Sequence, residues 1–118
     1  MRRAASDTAR VEESADAPIR ALLFDDDSLA RLDTFVVALG ERIDAIQDAE
    51  QAGQLDEVAK RAAELGREAS GLGLPQLASA AERVETSCRD GAVMDVRERI
   101  VLLTDVIRRV RLGHRGSA

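Results

Sequence analysis

Residues 62–85 read AAELGREASGLGLPQLASAAERVE, and this stretch decides the fold. Its first half continues a row that begins upstream. Leu55, Val58, Ala62, Leu65, Ala69 and Leu72 recur at steps of 3, 4, 3, 4 and 3, the spacing that aligns side chains along one side of an α-helix. Gly71-Leu72-Gly73 supplies a stop, because glycine enters the left-handed conformation at a helix C-terminus without a Cβ penalty. Pro75 then fits the first turn of a new helix, where its missing N–H costs little. Leu77, Ala81, Val84 and Cys88 follow at steps of 4, 3 and 4. Two amphipathic helices joined by a turn this short pack as antiparallel neighbours.

The same reading extends in both directions. Downstream, Asp90-Gly91 forms a turn, and a helix from about Met94 to Arg111 buries Val96, Ile100, Leu103, Ile107 and Val110. Gly113 is expected to end it, leaving residues 113–118 as a flexible tail. Upstream, Leu29, Leu32, Phe35 or Val36, Leu39, Ile43 and Ile46 place one stripe on a helix from Leu29 to Asp48, with a turn at Gly53. Asp25-Asp26-Asp27-Ser28 offers N-cap oxygens to that helix. A short helix is expected from Pro18 through Ile19, Leu22, Leu23 and Phe24. Residues 1–17 carry, after Met1, Val11 as their only sizeable apolar side chain and are expected to be a disordered tail. The fold class that results is all-α: an antiparallel up-and-down four-helix bundle over residues 18–112, with a short additional N-terminal helix.

Composition supports a helical reading and excludes several functions. The 118 residues include no Trp, no Tyr and only two Phe, so the core must be aliphatic. Net charge is −5, from 17 basic and 22 acidic residues, which argues against nucleic acid as a partner. Arg108, Arg109, Arg111 and Arg115 are a local exception, read as complementing the dipole of the last helix. Cys88 is alone, so it has no intrachain disulfide partner. It reads as a small core residue in a reducing compartment. No apolar run approaches the roughly 20 residues that span a bilayer, and Met1-Arg2-Arg3 has no apolar stretch behind it. A cytoplasmic protein that does not enter membranes is expected. No His/Cys cluster, phosphate-cradling loop or nucleophile–base pair is present in the sequence, so neither metal, cofactor nor enzymatic activity is expected.

Leu65, Leu72-Gly73, Leu77 and Val84-Glu85 together resemble the centre of the histidine-containing phosphotransfer (Hpt) domain family. That family carries His-x-Leu-Lys-Gly on one helix, then Leu-Gly, then a second helix ending in Leu-Glu. Residues 47–55, QDAEQAGQL, resemble the family's turn before the active helix. The resemblance covers roughly residues 20–112. It implies a bundle with a short first helix across one end, and a partner that is a response-regulator receiver domain or a histidine kinase of a bacterial two-component phosphorelay. It also puts the family's phosphoaccepting histidine at Ala63, where a methyl group cannot hold a phosphoryl group. The family's Lys-Gly is here Gly66-Arg67, with cation and glycine exchanged. The only histidine, His114, is expected in the C-terminal tail with no role.

Read with the helical period, Lys60, Ala63, Glu64, Gly66, Arg67 and Ser70 form one strip beside the seam of the third helix. This strip is the expected partner-binding surface. Small side chains at Ala63 and Gly66 leave a shallow depression, and the Arg67 guanidinium suits carboxylate or phosphate recognition. The expected function is an Hpt-like module that binds a signalling partner without passing phosphate. The alternatives are a structural or dimerisation bundle, with a homodimer open, and an active phosphotransfer protein using another residue.

Overall fold

The computed structural model describes residues 17–22 and 25–117. Five helices account for most of them: α1 (Asp26–Val37), α2 (Leu39–Gln51), α3 (Leu55–Gly71), α4 (Pro75–Arg89) and α5 (Val93–Ser117). No strand occurs among the described residues. The expected disorder of residues 1–17 falls, except for Ala17, outside the described residues.

The triple aspartate starts α1. The Asp25 carboxylate accepts the Ser28 N–H at 2.9 Å, and Asp26 and Asp27 occupy the first turn, where the dipole favours negative charge. That backbone hydrogen bond holds the Asp25 carboxyl below the usual carboxylate range. A lowered folded pKa stabilises the fold above the unfolded carboxylate range. Its contribution is lost as pH falls through the lowered value.

The single helix expected from Leu29 to Asp48 is two. Ala38 interrupts it with φ −84° and ψ −5°, and its N–H is shared between the carbonyls of Phe35 and Thr34. Val36 and Val37 precede the break and Gly40 follows it, all residues with reduced helix propensity. The buried stripe still passes through, from Leu32, Phe35 and Val36 to Leu39, Ile43 and Ile46, but Leu29 is left exposed.

From α3 onward the seams lie where the spacing puts them. Val58, Ala62, Leu65 and Ala69 on α3 with Leu72 at its C-cap, Leu77, Ala81, Val84 and Cys88 on α4, and Val96, Ile100, Leu103, Ile107 and Val110 on α5 are all 8% exposed or less. Leu55 packs against this core half-buried. Gly73, at φ +74°, closes α3: Leu74 N–H reaches the Ala69 carbonyl at 2.9 Å and Gly73 N–H reaches that of Ser70 at 3.3 Å. This paired closure is the Schellman motif, and it recurs after α2 and after α4. The helices pack in a ring: α3 chiefly on α4, α4 on α5, and α2 on both α3 and α5, with α1 against α2 and α5. Arg42 on α2 reaches the Glu68 carboxylate on α3 at 2.9 Å. Gln47 donates to Thr104 on α5 at 3.3 Å.

The two ends of the bundle depart from the sequence reading. No helix forms over residues 17–22; Leu23 and Phe24, the rest of the expected short helix, lie outside the described residues. The segment runs instead as a strap across α5 and the α3–α4 turn. Ile19 N–H donates to the Arg109 carbonyl at 2.9 Å, and Leu22 N–H donates to that of Gly73 at 2.8 Å. Ile19 itself is buried. Backbone groups that a helix would pair locally are here paired across the fold.

Gly113 does not end α5, and the expected tail from residue 113 is helical to Ser117. The glycine is needed for a different reason. A Cβ on Gly113 would overlap the Ile19 carbonyl group, so only a residue without one lets the strap cross here. His114 consequently sits on a helix rather than in a tail. Its Nε2 lies 2.9 Å from a carboxylate oxygen of Asp33 on α1.

Candidate functional site

The strip expected on α3 divides between solvent and interior. Lys60, Glu64, Arg67 and Ser70 are exposed, Ala63 is half-buried, and Gly66 is buried. The expectation that position 66 points outward is therefore corrected. A Cβ there would meet the Ala78 carbonyl oxygen and the Ala81 Cβ of α4, each at 3.5 Å. Gly66 belongs to a second buried row that includes Ala59 on α3 and faces Ala78 and Ala81 on α4. These small residues let the two helices approach closely, which is why α3 packs most extensively on α4. A 3.5 Å approach is ordinary contact, so Gly66→Ala fits without displacement. It should leave stability unchanged or raise it by up to about 1 kcal/mol through helix propensity, as thermal denaturation would show.

Close packing leaves two shallow depressions along the α3–α4 boundary. One, of about 370 Å³, is lined by Leu55, Asp56, Ala59, Lys60, Ala63, Glu64, Arg67, Cys88 and Arg89. The other, of about 300 Å³, is lined by Ala63, Gly66, Arg67, Ser70, Glu82 and Glu85. Ala63 and Arg67 line both and sit between them. All six strip positions thus meet along this groove, Lys60 and Glu64 in the first depression, Gly66 and Ser70 in the second.

The α4 wall was not part of the sequence reading. Glu82, Glu85 and Arg89 share one side of α4 at helical spacing, and Arg89 pairs with Glu85 at 2.8 Å. Their spacing was visible, but which side of α4 meets α3 depends on the small-residue contact at Gly66. Arg67 and Lys60, by contrast, make no ion pair or hydrogen bond among the described residues, although the carboxylates of Asp56, Glu64, Glu82 and Glu85 line the same groove. Burial pushes the Cys88 thiol up from its ordinary value, so this sulfur stays protonated and is a poor nucleophile.

Chemically, the groove offers the unpaired cations Lys60 and Arg67 among carboxylates, for a partner that carries charge, and a small-residue centre that a partner helix can approach. Among the described residues no group of His, Cys, Asp and Glu is placed to hold a metal ion, and no helix is long and apolar enough to cross a membrane. The one histidine lies on α5 against α1, on neither helix of the groove.

The described residues thus form a helical bundle with a groove along α3 and α4. A family model described as "Hpt domain" matches residues 31–113, from within α1 to the strap-crossing glycine. The chain belongs to the Hpt domain family. Comparisons with curated proteins and with solved structures return no match. Hpt domains are phosphotransfer carriers rather than catalysts and interact with receiver domains and kinases, so membership places this chain in two-component phosphorelay signalling.

Proposed function

We propose that this protein is a non-phosphorylatable Hpt module that binds a response-regulator receiver domain or a histidine kinase and regulates it by occupancy. The observation that carries this reading is the alanine at the centre of the groove. Ala63 stands where the family resemblance puts the acceptor, between two depressions walled by charged side chains, and it has no atom able to form a phosphoramidate. Binding and phosphotransfer are separable on such a surface, since docking needs shape and charge while transfer needs a nucleophile. In this reading α1 and α2 together form the first arm of an antiparallel four-helix bundle whose other arms are α3, α4 and α5. The protein acts in the cytoplasm, without a cofactor, and its domain runs from residue 18 into α5.

Arg67 supplies the test. It is exposed, so reversing its charge leaves the core intact. Arg67→Glu should weaken binding to a verified receiver or kinase partner about tenfold or more and flatten the salt dependence, because charge complementarity acts on encounter and specificity. Wild-type affinity in this variant, measured by calorimetry, would move the functional surface elsewhere. Gly66→Leu would not serve as this test, since a side chain at that buried position would disturb α3–α4 packing as well as binding.

A second reading, a structural or dimerisation bundle, has its own observation. Val93, Met94 and Val101 on α5 are each more than half exposed, and exposed apolar side chains clustered on one helix mark association surfaces. Sedimentation of the wild-type protein tests it: a monomer at all concentrations removes this reading and leaves the first untouched.

A further inference from the structure

A second groove lies between α4 and α5, away from the α3–α4 boundary. Ala80, Leu102 and Val106 give it an apolar floor, Arg83 and Arg99 flank it, and its volume is about 240 Å³. Leu102 is 47% exposed there, a large aliphatic side chain without cover. The two arginines make no ion pair or hydrogen bond among the described residues. Others on α5 are engaged: Arg97 with Glu50 at 3.2 Å, Arg108 with Asp105 at 3.0 Å, and Arg109 with the Ala17 carbonyl at 2.8 Å. A groove of this kind suits an occupant with carboxylates and a modest apolar side chain.

The strap brings such a segment to the groove's mouth. The Arg109 Nε holds the Ala17 carbonyl, and the Arg109 carbonyl accepts from Ile19 N–H. Arg109 is one helical turn beyond Val106, on the same side of α5. The six residues before Ala17 are Val11-Glu12-Glu13-Ser14-Ala15-Asp16: three carboxylates and one sizeable aliphatic side chain. Reach is sufficient, since α5 rises about 15 Å from Arg109 to Arg99 while six extended residues span about 20 Å.

We propose that residues 11–16 occupy the α4–α5 groove of their own chain, with the carboxylates of Glu12 and Glu13 against Arg83 and Arg99 and Ala15 over the apolar floor. The assignment goes beyond the phosphorelay reading and does not depend on it, because the α3–α4 groove stays open when the segment is docked. Charge complementarity is what favours this occupant, so salt weakens its hold.

The test uses the full chain carrying Ser14→Cys in a Cys88→Ala background, with a nitroxide label on the new thiol and methyl resonances as the readout. At low salt the methyl signals of Leu102 and Val106 should fall below half their intensity in the reduced sample, while those of Ile43 on α2 stay unchanged. Adding Arg83→Glu and Arg99→Glu should restore the signals with circular dichroism unaltered, since Arg83 is exposed and Arg99 half-buried at the surface. Full intensity at low salt would overturn the proposal, as would signal loss that survives the charge reversals. Loss seen when labelled chains are mixed with isotope-enriched unlabelled chains would give the groove to a second copy's segment and would also overturn it.

Discussion

Leu65→Asp should unfold the bundle or nearly so. Leu65 is fully buried at the middle of the α3 seam, within the core that α2, α4 and α5 close around. The substitution removes an aliphatic side chain whose loss alone costs about 2–5 kcal/mol. It also places a carboxylate where no partner has been arranged, adding a penalty that a buried group escapes only by taking up a proton. A total of about 4 kcal/mol or more is a large share of the 5–15 kcal/mol that holds a domain of this size. The melting temperature should fall by roughly 15 °C or more, with loss of helical circular dichroism near ambient temperature. An unchanged melting temperature would mean that α3 is rotated from the register described here.

Gly113→Ala should destabilise, although alanine is the better helix former. In a helix open to solvent the change gains up to about 1 kcal/mol. Here the new methyl would occupy the place of the Ile19 carbonyl, so the strap must lift. Lifting exposes Ile19, whose burial is worth roughly 1.5–3 kcal/mol, and breaks its bond to the Arg109 carbonyl, worth about 1 kcal/mol. The net loss should be about 2 kcal/mol, accompanied by faster amide exchange at Ile19 and Leu22. The sign is opposite to that expected for Gly66→Ala, although both glycines are helical and buried. What separates them is the neighbour: a carbonyl in direct overlap at one, ordinary contact at 3.5 Å at the other. If Gly113→Ala raised the melting temperature, the strap would not be seated as described.

These two positions also show how far the sequence could be read. The seams of α3, α4 and α5 were legible because each repeats at three and four residues, and local spacing is all that a helix face requires. The turns were legible because Gly73 and Gly91 end helices in the conformation that glycine alone takes readily. The strap was not legible. Its hydrogen bonds run from Ile19 to Arg109 and from Leu22 to Gly73, and no local pattern announces partners so distant in the chain. Gly113 was misread for a related reason: a glycine near a helix end has the same letter whether it stops the helix or admits another backbone. Of the α3 strip, the period separated Lys60, Glu64, Arg67 and Ser70 from the seam correctly. It could not say how wide the buried face is, and the second contact with α4 widened it to include Gly66. His114 was assigned to a tail on the strength of that misread glycine; the longer helix carries it to Asp33.

The central claim is that this Hpt-family protein docks without carrying phosphate. The direct measurement mixes it, in molar excess, with a receiver domain bearing radiolabelled aspartyl phosphate and follows where the label goes. With alanine at position 63 and the only histidine on α5, held against Asp33 of α1, the label should remain on the receiver or leave as inorganic phosphate, with none on this chain. Acid-labile label on this protein would contradict the account, and its disappearance in His114→Ala would identify the histidine that had carried it.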